Sequence, residues 1–266
     1  MWFDELDGKQ QGINLKLPYV NASGTLGFSP EAKHAQILGI LGAFITNPIS
    51  YSPRKVATNR AFIKFPGGFL LHSGYPNPGF HKVLRKFKGQ WEKASVPIIV
   101  HLLPDNPESL SEMVQVLETI ENIAAVELSF PHSMPVSQID DFKNAACGEL
   151  PLIFSLDHEQ ASQINMFEND KSDFIVRLAE PYGVLPYKDE GLIRGRIYGP
   201  AVFPTALSGV QRLSSLGFKV IGGGGIYTRQ QAEAMFKAGA EAVALDALLW
   251  CGGINLGLIF DGQSMG

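Results

Sequence analysis

Eight short apolar runs that alternate with amphipathic stretches constrain this chain more than any other feature. The runs are LPYVNAS (17–23), GAFIT (42–46), VPIIVHL (96–102), AAVELS (124–129), LPLIFSL (150–156), DFIVRL (173–178), FKVIGG (218–223) and AEAVAL (240–245). Several are continuous and rich in Val and Ile, the pattern of strands buried on both faces of a parallel sheet. Helical patterns lie between most of them: 30–41, 107–120, 137–146, 158–167, 204–217 and 228–239. Pro107 and Ser109 mark one helix start, and Gly217 and Gly239 mark two helix ends. Alternating strand and helix predicts a parallel sheet, and eight units predict its closure. The expected fold is α/β, a single (β/α)8 TIM barrel spanning 1–266.

Two connections are long, 47–80 after the second strand and 179–199 after the sixth. Both leave the C-terminal rim, where barrels build their sites, and loops of that length are usually lids or site walls. After the eighth strand only about twenty residues remain, so the last helix is short or absent. The chain is 45% hydrophobic and 18% charged with a formal charge of −4, which gives no polyanion-binding surface. The densest basic stretch, Lys82 to Lys88, carries Val83, Leu84 and Phe87 at helical spacing and reads as a solvated helix face. Cys147 and Cys251 match no metal or redox spacing and read as buried thiols of a reducing compartment. The polar N-terminus and the lack of an 18-residue apolar run predict a cytoplasmic protein without a membrane partner.

The strongest chemical signal is VIGGGGI (220–226), at the end of the seventh strand and ahead of a helix starting near Thr228. In many barrels the ends of strands seven and eight form a phosphate cup of backbone N–H groups. Glycine lets the backbone approach closely and take positive φ. Asp246 follows the eighth strand directly, where the second half of that cup belongs. A carboxylate there opposes a phosphate dianion unless it turns outward.

LPYVNASGTLGF, GAFIT with the later GGFLLHSGYPNPGF, VELSFPH, GRIYGPAVFPTAL and VIGGGGI follow one another from about residue 12 to 250. In that order they resemble the dihydroorotate dehydrogenases. The resemblance implies FMN at the barrel mouth, its phosphate on strands seven and eight. By position Ala22, Ser23 and Gly24 face the flavin, Gly199, Gly224 and Gly225 approach it by backbone, and Ala247 follows in the phosphate cup.

The family's reactive side chains are mostly replaced. Asn47 stands where the family has a Lys, and Phe130 where it has a Cys or Ser base. Glu127 and His132 replace an Asn pair, Leu71 replaces the substrate-loop Asn, and Ser155 or a neighbour replaces the fifth-strand Lys. Asp246-Ala247 replaces Gly-Thr, and Phe203 replaces a further Lys. Phe accepts no proton, so that route to base catalysis is closed. Dihydroorotate oxidation is therefore not expected, and Asp246 and Phe203 argue against FMN itself.

His72, His101, Glu127 and His132 lie near the predicted rim and form a candidate acid–base set; a solvated rim or a hydrogen-bonded core histidine is the alternative. His34, His81 and His158 read as surface residues. Arg177, Arg194 and Arg196 read as an anion site or as partners of Glu180, Asp189 and Glu190. Tyr51, Tyr75, Tyr182, Tyr187 and Tyr198 either line a pocket or pack the long loops. Two functions stay open: a flavin oxidoreductase acting on another substrate, and a flavin-free barrel that binds a small molecule or protein partner, or does other chemistry. No metal site and no iron–sulfur ligand set is expected. Self-association into a homo-oligomer is left open.

Overall fold

The computed structural model describes residues 13–164, 173–188 and 191–250. All eight predicted strands form: β1 (Tyr19–Asn21), β2 (Phe44–Ile45), β6 (Ile98–Leu103), β7 (Ile123–Ser129), β8 (Leu152–Leu156), β9 (Ile175–Leu178), β12 (Val220–Gly223) and β13 (Ala242–Leu245). They pair in parallel in the order β1-β13-β12-β9-β8-β7-β6-β2. The ring closes between β2 and β1, where a parallel bridge joins Val20 to Ala43. A side chain completes the seam. The buried Asn21 amide donates to the Ile45 carbonyl at 2.7 Å and accepts the Ile45 N–H at 2.8 Å.

Strand alternation sets what the barrel encloses. Ile45, Ile99, Ala125, Ile153, Ile175, Ile221 and Ala242 form one buried apolar cluster inside the ring. Their neighbours Phe44, Val100, Val126, Phe154, Val176 and Val243 belong to the larger cluster that meets the outer helices. Two residues further along four strands the inward positions are His101, Glu127, Ser155 and Arg177, all buried. A polar layer thus lies on an apolar one, nearer the strands' C-terminal ends.

The helices are α1 (Ala35–Leu38), α2 (Phe80–Glu92), α3 (Pro107–Glu118), α4 (Ile139–Ala145), α5 (His158–Ser162), α6 (Phe203–Ser215) and α7 (Arg229–Lys237). Asn106 caps α3 by accepting the Ser109 N–H, and Thr228 with Gln231 forms a capping box on α7. Helix α2 buries Phe80, Val83 and Trp91 and turns its lysines to solvent, as the basic stretch predicted. The first helical stretch is shorter than its pattern, a 3-10 turn at Ala32–His34 followed by α1.

The two long connections are not irregular lids. They contain β3 (Ile49–Ser50), β4 (Ala61–Phe65), β5 (Gly68–His72), β10 (Tyr182–Pro186) and β11 (Leu192–Tyr198). β3 adds to β6, and the other four form an antiparallel sheet in the order β10-β11-β5-β4. Pairing these segments gives their backbone N–H and C=O groups partners that an irregular loop would leave to water. After β13 the described chain ends in a 3-10 turn, Ala247–Trp250. Cys251 and the end of the predicted 158–167 helix lie outside the described residues. Cys147 is exposed, not buried, because it follows the last turn of α4 on the surface. His34 is buried rather than on the surface, and half-buried His158 begins α5. His81 is exposed as expected.

Candidate functional site

The polar layer at the mouth is one connected set of ion pairs. His101 Nδ1 and Arg177 Nε both meet Glu127 Oε1, at 2.6 and 2.9 Å. Arg177 Nη2 donates to Ser155 Oγ at 2.6 Å, and its Nη1 lies 3.5 Å from Glu180 Oε1. Arg196 continues the chain, with Nη1 donating to the Glu180 carbonyl at 2.9 Å and Nε donating to the Tyr75 hydroxyl. Burial alone would raise the Glu127 carboxyl, but Arg177 and His101 outweigh it and hold it at about 2. Burial lowers His101 despite Glu127 beside it, so its neutral form is favoured, with Nδ1–H donating to the carboxylate. Two arginines then balance two glutamates, which is what a water-excluded interior demands.

The glycine cup has also closed. Gly224 and Gly225 take φ of 106° and 70°, conformations glycine adopts readily. Gly225 donates its N–H to Asp246 Oδ2 at 3.1 Å, and the Asp246 side chain is completely buried. Asp246 turns inward, and its Oδ1 has no hydrogen-bond partner among the described residues. Burial, with Glu180 adding to it, raises the Asp246 carboxyl to about 7. A Cβ placed on Gly225 would lie 2.7 Å from the Gly199 carbonyl and 2.7 Å from the Phe203 nitrogen. Gly225 therefore packs closely against the Phe203 backbone at the start of α6. Gly199, with φ of 120°, packs against Gly67 and Gly68. FMN, which the family resemblance implies, needs this cup for its phosphate. The residues present do not fit that phosphate, because a buried carboxyl already takes the Gly225 N–H and the chain fills the space around it.

The other positions assigned to the flavin are distributed along the same rim. Ala22 is buried and pairs with Leu245, and Ser23 Oγ donates to the Thr46 carbonyl at 2.8 Å. Gly24 faces open space, and Ala247 is buried beside Asp246. Asn47, in place of the family's Lys, accepts the Gly27 N–H.

Between the antiparallel sheet and the mouth lies a cavity of about 500 Å³. Its walls include Arg54, His72, Tyr75, Phe130, His132 and Arg194. Phe130, at the position of the family's base, is buried edge-on against Phe142 and Phe154. Two residues on, His132 Nδ1 lies 2.7 Å from Asp157 Oδ2 and its Nε2 lies 3.1 Å from Glu159 Oε2. Asp157 is fixed because its other oxygen caps α5 by accepting the Glu159 and Gln160 N–H groups. His72 meets Asn59 Oδ1 at 3.1 Å.

The four candidate acid–base residues do not form one site. His101 and Glu127 pair inside the barrel, while His72 and His132 line the cavity outside it. Of the three arginines, Arg177 and Arg196 bind acidic partners and Arg194 has none among the described residues, which do not include Asp189 and Glu190. Tyr75, Tyr182 and Tyr198 line the cavity. Sequence reasoning overlooked Asp157 as the anchor of His132, while Glu180, one of three acidic partners it offered the arginines, is the one that links Arg177 to Arg196. It also overlooked the rim sheet, whose signals are the alternation in AFIKF and the turn at Pro66-Gly67.

A family model described as dihydroorotate dehydrogenase matches residues 5–148, more than half of the chain. The chain belongs to the dihydroorotate dehydrogenase family. It is 28% identical over 267 residues to a Pyrococcus abyssi protein named dihydroorotate dehydrogenase B (NAD(+)), catalytic subunit, with 92% of this chain and 88% of that protein covered. A Pyrococcus furiosus protein of the same name is 27% identical over 266 residues, with 92% and 87% covered. One from Bacillus mycoides is 28% identical over 255 residues, with 88% and 82% covered. Membership in the dihydroorotate dehydrogenase family accounts for the glycines and strand ends that persist here with other side chains between them. Among the described residues no helix is long and apolar enough to cross a membrane, and no group of His, Cys, Asp and Glu is placed to hold a metal.

Proposed function

We propose that this member of the dihydroorotate dehydrogenase family does not oxidise dihydroorotate and acts as a flavin-free barrel whose small-molecule ligand sits in the rim cavity. The observation that carries this reading is the Asp246 carboxyl on the Gly225 N–H, buried in the phosphate cup. Phe130 supports it, since an aromatic ring packed on Phe142 and Phe154 takes no proton from a substrate. So does Glu127, whose charge is committed to Arg177 and His101. The rim cavity lies in the size range of small-molecule sites, with apolar walls and a few convergent polar groups.

The second reading is an FMN oxidoreductase acting on another substrate. It is favoured by Gly24, which faces open space at the end of β1 where a ring could approach.

Purification of the chain, with a flavin absorbance spectrum and an FMN titration, separates the two. The expected product is colourless, takes up no FMN, and reduces no dye with dihydroorotate. A yellow protein with releasable FMN refutes the flavin-free reading, and enzyme-like dye reduction with dihydroorotate refutes the loss of that reaction.

A further inference from the structure

Four arginines surround the mouth of the barrel, and they differ in what holds them. Arg177 and Arg196 are buried and bound to Glu127 and Glu180. Arg54 and Arg194 are exposed walls of the rim cavity, and neither guanidinium has a hydrogen-bond or ion-pair partner among the described residues. Their backbones are nonetheless fixed. Arg54 is bridged to Asn77, with N–H to carbonyl bonds of 2.9 and 3.1 Å in both directions. Arg194 sits within β11, in register with Val184 of β10.

The two cations come from different connections, one following β2 and the other following β9, and the rim sheet brings both segments to one cavity. Leu71, Leu103, Phe130 and Met134 give that cavity an apolar floor, and among the described residues Asp105 is the one carboxylate that lines it. His132 lines it as well and also lines two adjoining cavities of about 420 and 200 Å³, both shared with Arg194. The His132 ring is oriented by Asp157, and its Nε2 meets the exposed Glu159, which a ligand anion can displace.

We propose that the rim cavity binds a small molecule with an apolar body and two anionic groups, one held by Arg54 and the other by Arg194 beside His132. A guanidinium donates two parallel N–H bonds to a carboxylate or phosphate, and two such clamps select a dianion over a monoanion. This rests on the rim cavity being the ligand site. It does not depend on the flavin cup, whose state is read separately.

The test is calorimetric titration of the full chain with isophthalate, 3-phosphonobenzoate and benzoate. Isophthalate or 3-phosphonobenzoate is expected to bind at least about tenfold more tightly than benzoate, and the tighter of the two identifies a carboxylate or a phosphorus oxyanion as the second anion. Arg54→Ala and Arg194→Ala are each expected to weaken that ligand by about tenfold or more. Both side chains are exposed and unpaired, so both variants should melt with the parent. Equal affinity for benzoate, affinity unchanged in both variants, or no binding of any probe at millimolar concentration overturns the proposal. A yellow, FMN-loaded preparation would defeat the flavin-free reading while leaving the arginine dependence measurable.

Discussion

Asp246 Oδ2 and the Gly225 N–H are 3.1 Å apart, so the residue after β13 occupies the anion-binding group at the end of β12. Removing that carboxyl while supplying the family's hydroxyl should reopen the cup. Asp246→Gly combined with Ala247→Thr is expected to raise FMN affinity at least about tenfold, since the carboxyl that occupies the Gly225 N–H is removed. Quenching of flavin fluorescence reads this directly. No gain would place the obstruction in the Gly199 and Phe203 backbone instead.

The same carboxyl gives stability a distinctive pH dependence. Its folded value is raised from 3.8 to about 7, so between those limits the folded state keeps a proton that the unfolded chain releases. Stability then falls as pH rises from about 4 to about 7, by up to about 4 kcal/mol. Asp246→Asn should flatten this slope, as followed by urea denaturation at pH 5 and pH 8. Parallel slopes for the two proteins would show that Asp246 does not hold the proton.

Glu127 behaves in the opposite sense. Its folded value is depressed to about 2, so its contribution is present above the unfolded value of about 4.5 and is lost as pH falls through about 2. Glu127→Gln removes the nearer carboxylate of buried Arg177 and leaves it to share Glu180 with Arg196, and is expected to destabilise the fold by about 3 kcal/mol. Adding Arg177→Met should recover part of that loss. A double-mutant cycle with no coupling energy would argue against the pair.

Asn21 carries the barrel seam. Asn21→Ala would leave the buried Ile45 N–H and carbonyl without the amide that both use, at a cost of about 2–4 kcal/mol. Asn21→Leu should be no better, because it supplies bulk without hydrogen bonds. Chemical denaturation of both variants checks this, and a leucine variant as stable as the parent would count against the seam.

Restoring the family's base alone should not restore the family's reaction. Phe130→Ser removes a ring packed between Phe142 and Phe154 and is expected to cost about 3–5 kcal/mol. Asn47, Ser155 and Asp246 remain, so a dye-coupled assay with dihydroorotate should stay at background.

The eight strands were legible because each combines a short Val/Ile-rich run with a following helix pattern, and β branching favours extended backbone locally. His101 and Glu127 were legible as polar residues near adjacent strand ends, and the register of β6 on β7, which sets one opposite the other, made them a pair. The links from Arg177 and Arg196 to Glu180 could not be chosen over Asp189 or Glu190, because charge alone does not specify register. The rim sheet was hidden for a related reason: β5 pairs with β11 more than a hundred residues away.

By itself, the sequence determined the barrel, the kinship and the side chains missing from the family's reaction, since those follow from local periodicity and from residue identity at ordered motifs. Only the tertiary structure decided what replaced them. Whether Asp246 faced inward or outward depended on how β12 and β13 place their ends, and the closed barrel brings its carboxyl onto Gly225. Burial then changes the chemistry of the same residues: it favours the proton on Asp246 and commits Arg177 and Arg196 to glutamates, while Arg54 and Arg194 stay exposed at the rim cavity.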